Sequence, residues 1–307
     1  MTARDGLEAA VAAELAMPSP RDAATETAEA AARGIVARHG DAVAAVLFYG
    51  ACRRDGDASG LLDLYVLTAG HRAFHGRALP ALFNAALPPN VLLWRAEGPR
   101  GPIRAKVAVL TLGQFERRVR PGSLDTTLWA RFCQPSTLVY ARDEAARRRV
   151  ERAVARAVET AVRWALRLEP EARTPAERWR GLFARTYAAE LRAERSGRPE
   201  RLLSAAPDWY DRVFPLALAR LGPPAAPGPS RRRWERAWAL RRVAGKALNA
   251  VRLAKAAFTF EGGADYLAWK VERHSGVSIS LTEWQRRHPL LAAPGMLWRL
   301  RRSGAVR

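Results

Sequence analysis

Two strand-length apolar runs, Val43 to Tyr49 and Leu61 to Leu67, stand on either side of the polar, glycine-containing stretch Gly50 to Gly60. The β-branched and aromatic content of the first run and the length of the second read as strands, and the glycines between them as a loop. The second run contains a single acid, Asp63. An ionised carboxylate inside an apolar strand costs several kcal/mol unless a metal ion, a cation or hydrogen bonds compensate it. That cost singles out Asp63 as a candidate functional residue. A glycine turn between strands is commonplace, however, and pairing with a neighbouring arginine satisfies the same physics, so the spacing alone leaves both readings open.

The surroundings of these runs place them in an α/β domain. Ala23 to His39 has helix-forming composition and stops at Gly40. His75 to Leu87 reads as a helix, and Val91 to Ala96, Ile103 to Leu112 and Thr137 to Tyr140 read as strands. Beyond Asp143 the pattern changes. Val150, Val154, Val158, Val162 and Leu166 are spaced to lie along one helix face, among dense arginine. Breaks fall at Glu169 to Thr174 and Ser196 to Pro199, and a proline-rich linker runs from Gly222 to Pro229. Arg231 to Phe258 then reads as a long basic helix and Ala264 to His274 as another. The expected organisation is a flexible lead-in over residues 1–22, a mixed-sheet α/β domain over 23–143, and an α-helical domain over 144–307 ending in a basic amphipathic tail.

Composition narrows the partners. In a chain of 307 residues, 51 basic against 30 acidic side chains leave a net charge of +21, which attracts phosphates of nucleic acid, nucleotide or lipid. Cys52 and Cys133 are the only cysteines, too few for a disulfide framework or a thiolate zinc site, and are expected as reduced thiols in a cytosolic compartment. A metal site would therefore use oxygen ligands. No apolar run approaches the roughly 18 to 20 residues needed to cross a bilayer, and Asp5, Glu8 and Glu14 argue against a signal or transit peptide.

In nucleotidyl transfer, an acceptor attacks the α-phosphorus of an NTP and pyrophosphate departs, so the chemistry calls for a phosphate-accepting loop and a carboxylate that can hold Mg2+. The strand Val46-Leu47-Phe48-Tyr49 running into Gly50-Ala51, followed by Asp63 in the next strand, supplies both parts. Many nucleotidyltransferases carry a second acid two residues on, where this chain has Tyr65. Tyr49-Gly50-Ala51-Cys52, Leu62-Asp63-Leu64-Tyr65, Phe74-His75, Lys106-Val107-Ala108-Val109 and the segment Leu124 to Pro135 together resemble, in order, the mitochondrial-type CTP:phosphatidate cytidylyltransferase family, also named for translocator assembly and maintenance. The resemblance covers roughly residues 43 to 140 and departs from the family at Ala51, Ala78 and Ala108.

The resemblance implies a nucleotidyltransferase-like fold and the reaction of CTP with phosphatidic acid to give CDP-diacylglycerol and pyrophosphate. It makes Asp63 the Mg2+ ligand and, with Lys106, a catalytic residue. Gly50 and Ala51 become the nucleotide loop, and Arg131 a cation facing substrate phosphate. His75 is a candidate phosphate contact, although a lone histidine at a helix start is more often structural. Arg53 and Arg54, beside the loop, are placed either for nucleotide phosphates or for a solvated turn, and Asp55 and Asp57 either for a second metal contact or for turn geometry.

Action on a bilayer lipid requires a surface-binding device. Trp234, Trp238 and Leu248 among Arg231 to Arg233, Arg241, Arg242 and Lys246 form one basic amphipathic stretch, and Met296 to Arg302 forms a second. Packing on the catalytic domain is the expectation for the first, and contact with an anionic membrane, at the inner face of the cell membrane, for the second. The same composition suits nucleic acid, but no recognised nucleic-acid module is present.

Overall fold

The structure is a computed structural model that describes residues 3–16, 18, 22–98, 100–189, 197–222, 231–259, 281–287 and 295. Its centre is a mixed five-stranded sheet, ordered β3-β4-β2-β1-β5. Strand β1 (Val43–Tyr49) is buried along its whole length, as its apolar run requires, and lies antiparallel to both β2 (Leu62–Thr68) and β5 (Thr137–Ala141). The one parallel pair joins β2 to β4 (Gly101–Thr111), and β3 (Asn90–Gly98) returns antiparallel to β4 at the edge. The expected strands are all present, and the fold class is α/β with a helical region following the sheet.

Successive strand residues point to opposite faces, so each face has its own helical cover. On one side α2 (Ala23–His39) presents Ala24, Ala28, Ala31 and Ile35 to Val46, Phe48, Leu64 and Val66. Small side chains on this helix let its axis approach the sheet closely. Its start is capped by Asp22, whose carboxylate accepts the Thr25 N–H at 2.6 Å. On the other side α8 (Glu144–Leu168), capped by Asp143 on the Ala146 N–H, lays Val150, Val154 and Val158 in the same core as Leu47, Tyr65 and Leu67. Between the strands lie α3 (Ala51–Asp55), α4 (His71–His75), α5 (Ala78–Ala86), α6 (Leu112–Arg118) and α7 (Thr127–Phe132). One helix was expected over His75 to Leu87. It forms as α5, beginning at Ala78, because Gly76 adopts φ 63°, a left-handed stop that leaves His75 at the end of α4.

After α8 come α9 (Pro175–Ala188), α10 (Arg198–Ser204), α11 (Pro207–Leu221), α12 (Arg231–Thr259) and α13 (Glu283–Arg287). Aromatic side chains join them to the rest. Trp164 of α8 meets Trp234 and Trp238 of α12 at ring distances of 5.9 and 5.5 Å, and Trp129 of α7 meets Trp238 at 6.3 Å. Arg167 and Arg241 sit over the indoles of Trp234 and Trp164, respectively, at 3.6 and 4.3 Å. The packing expected for this stretch is therefore what forms. The change at residue 143 separates two kinds of secondary structure but not two cores, since strand and helix residues share one continuous cluster.

The lead-in expected over residues 1–22 contains a helix, α1 (Ala3–Leu15), whose Leu7, Val11 and Leu15 are buried against the helical half. Their four-residue spacing forms a stripe that the alanine-rich composition obscures. The segment Gly50 to Gly60, expected as loop, begins with α3. The helix expected at 264–274, the proline-rich stretch 223–229 and the basic tail at 296–302 lie outside the described residues. Among the described residues no helix is long and apolar enough to cross a membrane.

Truncating Leu7 to alanine is expected to destabilise the fold by about 2–5 kcal/mol. A urea titration would show this as a lowered midpoint with the slope unchanged, whereas a loosely attached lead-in would leave the midpoint where it is.

Candidate functional site

Sheet register assembles the site before any side chain is considered. Tyr49 at the end of β1 is opposite Asp63, and the parallel pairing of β2 with β4 sets Asp63 beside Lys106. The three form a row across the sheet on the face turned toward α8. Gly50 follows Tyr49 with φ 92°, and a Cβ added there would lie 2.6 Å from Oδ2 of Asp63. Glycine is thus required twice, for its backbone angle and for the close approach of the chain to the carboxylate. Ala51 then opens α3.

Arg131 arrives from α7. Its Nη1 donates to the Tyr65 hydroxyl at 3.0 Å, and its guanidinium lies over the rings of Tyr49 and Tyr65 at 5.3 and 5.9 Å. Gly50, Ala51, Asp63, Lys106 and Arg131 all line one cavity of about 220 Å³. Arg53 and Arg54 line it from α3, so the expected nucleotide-loop and phosphate residues converge with the single exception of His75. The far wall includes Tyr187 of α9 and Tyr210 of α11. No motif in the sequence points to these two, because they come from the helical half and meet the sheet only through tertiary packing.

The position of Arg131 depends on a buried clamp. Asp125, only 3% exposed, accepts the Thr127 N–H at the start of α7 and pairs with Arg118 at 3.1 Å and Arg252 of α12 at 2.5 Å. Burial raises its carboxyl pKa, but the Arg252 charge and hydrogen bond and the Thr127 N–H outweigh that and hold it below the usual carboxylate range. A helix remote in sequence thereby fixes the start of α7.

Arg53 has a second occupation. Its guanidinium donates to Glu14 of α1 at 2.5 Å and to the Thr137 hydroxyl at 3.0 Å, tying α1 and β5 to α3 while it lines the cavity. Asp57 accepts from Ser59 N–H and hydroxyl at 2.8 and 2.7 Å, a turn role, and Asp55 pairs with Arg54. Burial, followed by the charges of Asp63, Asp57 and Asp55, pushes the Cys52 thiol upward, and burial does the same to Cys133. Neither cysteine is a thiolate nucleophile at neutral pH.

His75 does not line the cavity, and its expected phosphate contact is corrected here. Its Nε2 meets Asn84 Nδ2 at 2.9 Å and Asn90 Nδ2 at 3.3 Å under α12, where Lys255 donates to Asn90 Oδ1 at 3.0 Å. Burial, with the nearby charges of His71, His39 and Lys255, lowers its pKa from 6.5 to about 4. Two asparagine amides facing a neutral imidazole make a structural network, not an anion site.

The fit of the site to Mg2+ can be judged from its donors. A protein-held Mg2+ takes one or two carboxylates together with substrate phosphates. Among the described residues Asp63 is the single carboxylate lining the cavity, alongside Arg53, Arg54, Lys106 and Arg131, and no group of three His, Cys, Asp or Glu side chains could hold a metal. One carboxylate is the least such a site uses, and with cations lining the same cavity this donor set does not hold the ion before nucleotide phosphates are present.

Two outcomes follow. Gly50→Ala forces a side chain into the Asp63 carboxylate at a positive φ, and is expected to destabilise the chain by about 1–3 kcal/mol and to weaken any ligand of the cavity, read by thermal melting and calorimetry. The unfolded imidazole of His75 protonates near pH 6.5 while the folded one stays neutral to about 4. Its contribution is therefore complete above 6.5 and lost as pH falls toward 4. His75→Gln is expected to flatten that part of the pH–stability curve relative to the wild type.

No protein-family model matches the chain, and neither does any curated protein. Among solved structures it is similar to a nucleotidyltransferase-like protein from Exiguobacterium sibiricum 255-15, at 13% identity over 90% of this chain and 91% of that one, with a TM-score of 0.27. A likeness of that strength leaves the reading of the site to its own geometry.

Proposed function

We propose that the cavity holds the phosphates of a nucleoside triphosphate and that the chain is a nucleotidyltransferase. The observation that carries this reading is the convergence of Gly50-Ala51, Asp63, Lys106 and Arg131, from four separate elements, on one cavity. Cationic side chains outnumber the single carboxylate there, as a polyanion requires. At about 220 Å³ the space is smaller than the ~300–1,000 Å³ that a whole drug-sized ligand occupies. It suits a polyphosphate, with the base and the acceptor's bulk outside.

In its finer form the proposal is cytidylyl transfer from CTP to phosphatidic acid, as the resemblance of Tyr49-Gly50, Asp63, Lys106 and the Leu124 to Pro135 segment implies. A phosphatidate oxygen forms a bond to the α-phosphorus while the bond from that phosphorus to the bridging oxygen breaks, and pyrophosphate leaves. The phosphate nucleophile is ionised at neutral pH, so no strong general base is needed. Positioning and charge stabilisation carry the chemistry. Lys106 and Arg131 would face the charge that accumulates on the leaving group and acceptor, and Asp63 would orient Lys106 from the neighbouring strand.

Peripheral attachment to an anionic cytoplasmic membrane face belongs to the same proposal. It is supported by the net charge of +21 and by α12, whose outward Leu240, Val243 and Val251 are 56, 65 and 55% exposed in a helix that also carries Arg242 and Lys246. A second reading, nucleotide binding without turnover, is favoured by one observation, the single carboxylate among the described residues of the cavity wall.

The deciding experiment incubates α-labelled CTP with phosphatidate vesicles and Mg2+. The transferase reading expects labelled lipid from the wild type, and a loss of at least about a hundredfold with Asp63→Ala, as when one charge-stabilising group is removed from a transfer site. Label retained on the protein with none on lipid selects the binding reading, and no retention of any NTP sinks both.

A further inference from the structure

The mismatch between the cavity and a protein-held Mg2+ has a structural counterpart. Side chains two apart on a strand point the same way, so Tyr65 occupies the position on the sheet face from which a second carboxylate would join Asp63 in gripping a hard cation. A guanidinium is there instead. Arg131 Nη1 donates to the Tyr65 hydroxyl at 3.0 Å, and the same group lies beside the rings of Tyr49 and Tyr65 at 5.3 and 5.9 Å.

We propose that the cavity binds nucleotide phosphates directly, with the guanidinium of Arg131, seated on Tyr49 and Tyr65, and the ammonium of Lys106 supplying the positive charge, and with no divalent ion required between protein and phosphate. The inference rests on the reading of the cavity as a nucleotide site. Three features support it. A divalent ion entering beside Asp63 shares the cavity with Lys106 and Arg131, and with Arg53 and Arg54, whose charges Glu14 and Asp55 partly offset, and like charges repel. A polyanion meets the opposite field. Guanidinium also pairs with phosphate through two parallel hydrogen bonds, so a fixed arginine both neutralises and orients, which a hydrated ion held by one ligand does less well.

The arginine is set in advance. Tyr65 is 1% exposed and in the core with Phe132, whose ring meets it edge-on at 5.1 Å, and α7 is held at its start by the Asp125 clamp. Little side-chain freedom remains to be lost on binding. Tyr65 accordingly acts as a positioning residue, touching the arginine and not lining the cavity itself.

Calorimetric titration of the full chain with CTP and with inorganic tripolyphosphate, in EDTA and in MgCl2 at matched ionic strength, tests this. The expected result is a Kd in EDTA within about threefold of that in Mg2+, with matched salt removing the trivial screening difference. Arg131→Ala is expected to weaken binding in EDTA by about tenfold or more, the scale of one charge-assisted hydrogen bond. Tyr65→Phe deletes only the hydroxyl and keeps the core ring, so it tests the seating where the alanine variant fails to fold, and is expected to weaken binding in EDTA by a factor of about three. Binding seen only with Mg2+, or unaffected in EDTA by both substitutions, overturns the inference and leaves the nucleotide reading intact. Absence of binding under both conditions overturns the two together.

Discussion

The contact between the Gly50 backbone and the Asp63 carboxylate is the point around which the site is organised. Across the centre of that face Leu47, Tyr65, Leu67, Ala108 and Leu110 share an apolar core with α8 and α7. At the ends of β1 and β2 the apolar cover stops and the alternation of β2 delivers a carboxylate. The chain can pass this carboxylate only without a side chain and only at φ 92°, so the residue after Tyr49 must be glycine. Once that approach is fixed, register determines the rest. Lys106 stands beside Asp63 because β2 and β4 run parallel in a set pairing.

Apolar packing and charge placement are coupled through α7. Its Leu128, Trp129 and Phe132 are buried in the shared core, and this anchors the helix that carries Arg131. Burial of Asp125 would be costly alone, but Arg118 and Arg252 compensate it and the carboxylate in turn holds the Thr127 N–H. Long-range contacts from α12 thus reach the cavity without lining it. The indole and guanidinium layers of Trp164, Trp234, Arg167 and Arg241 bind the same helix to α8. The helical half therefore does more than enclose a wall of the cavity: it sets the geometry of α7.

What was legible in the sequence was whatever depends on neighbours along the chain. The run Val43 to Tyr49 is strand because seven apolar residues buried on both faces admit little else, and its bounds match the structure. Gly50, Ala51, Asp63 and Lys106 meet because strand order and alternation bring them together, Arg131 joins them from α7, and their residue types were informative in isolation. His75 misled because a histidine beside an aromatic residue carries no sign of whether it faces a cavity or two buried asparagines. Asn84 and Asn90 became its partners only through the split of α4 from α5 at Gly76. The docking of α1 was illegible for a related reason, since three apolar side chains among alanines become a buried helix face only when α8 and α11 are there to receive them.

Tyr65 shows how far a local reading of chemistry can differ from a spatial one. Considered along β2 it is a phenol two residues from Asp63, unable to ligate a hard cation. In the folded chain its hydroxyl meets the guanidinium of a residue 66 positions away. A phenol cannot grip a hard cation, but it can accept a hydrogen bond from an organic one and offer it a ring face. The same location on the sheet can therefore carry positive charge by two routes, an ion held by a second acid or an arginine held by a tyrosine. The second needs a helix placed to within a fraction of an ångström, which is what the burial of Phe132 and Trp129 and the Asp125 clamp provide. A tyrosine at this place thus makes physical sense only together with the packing of α7.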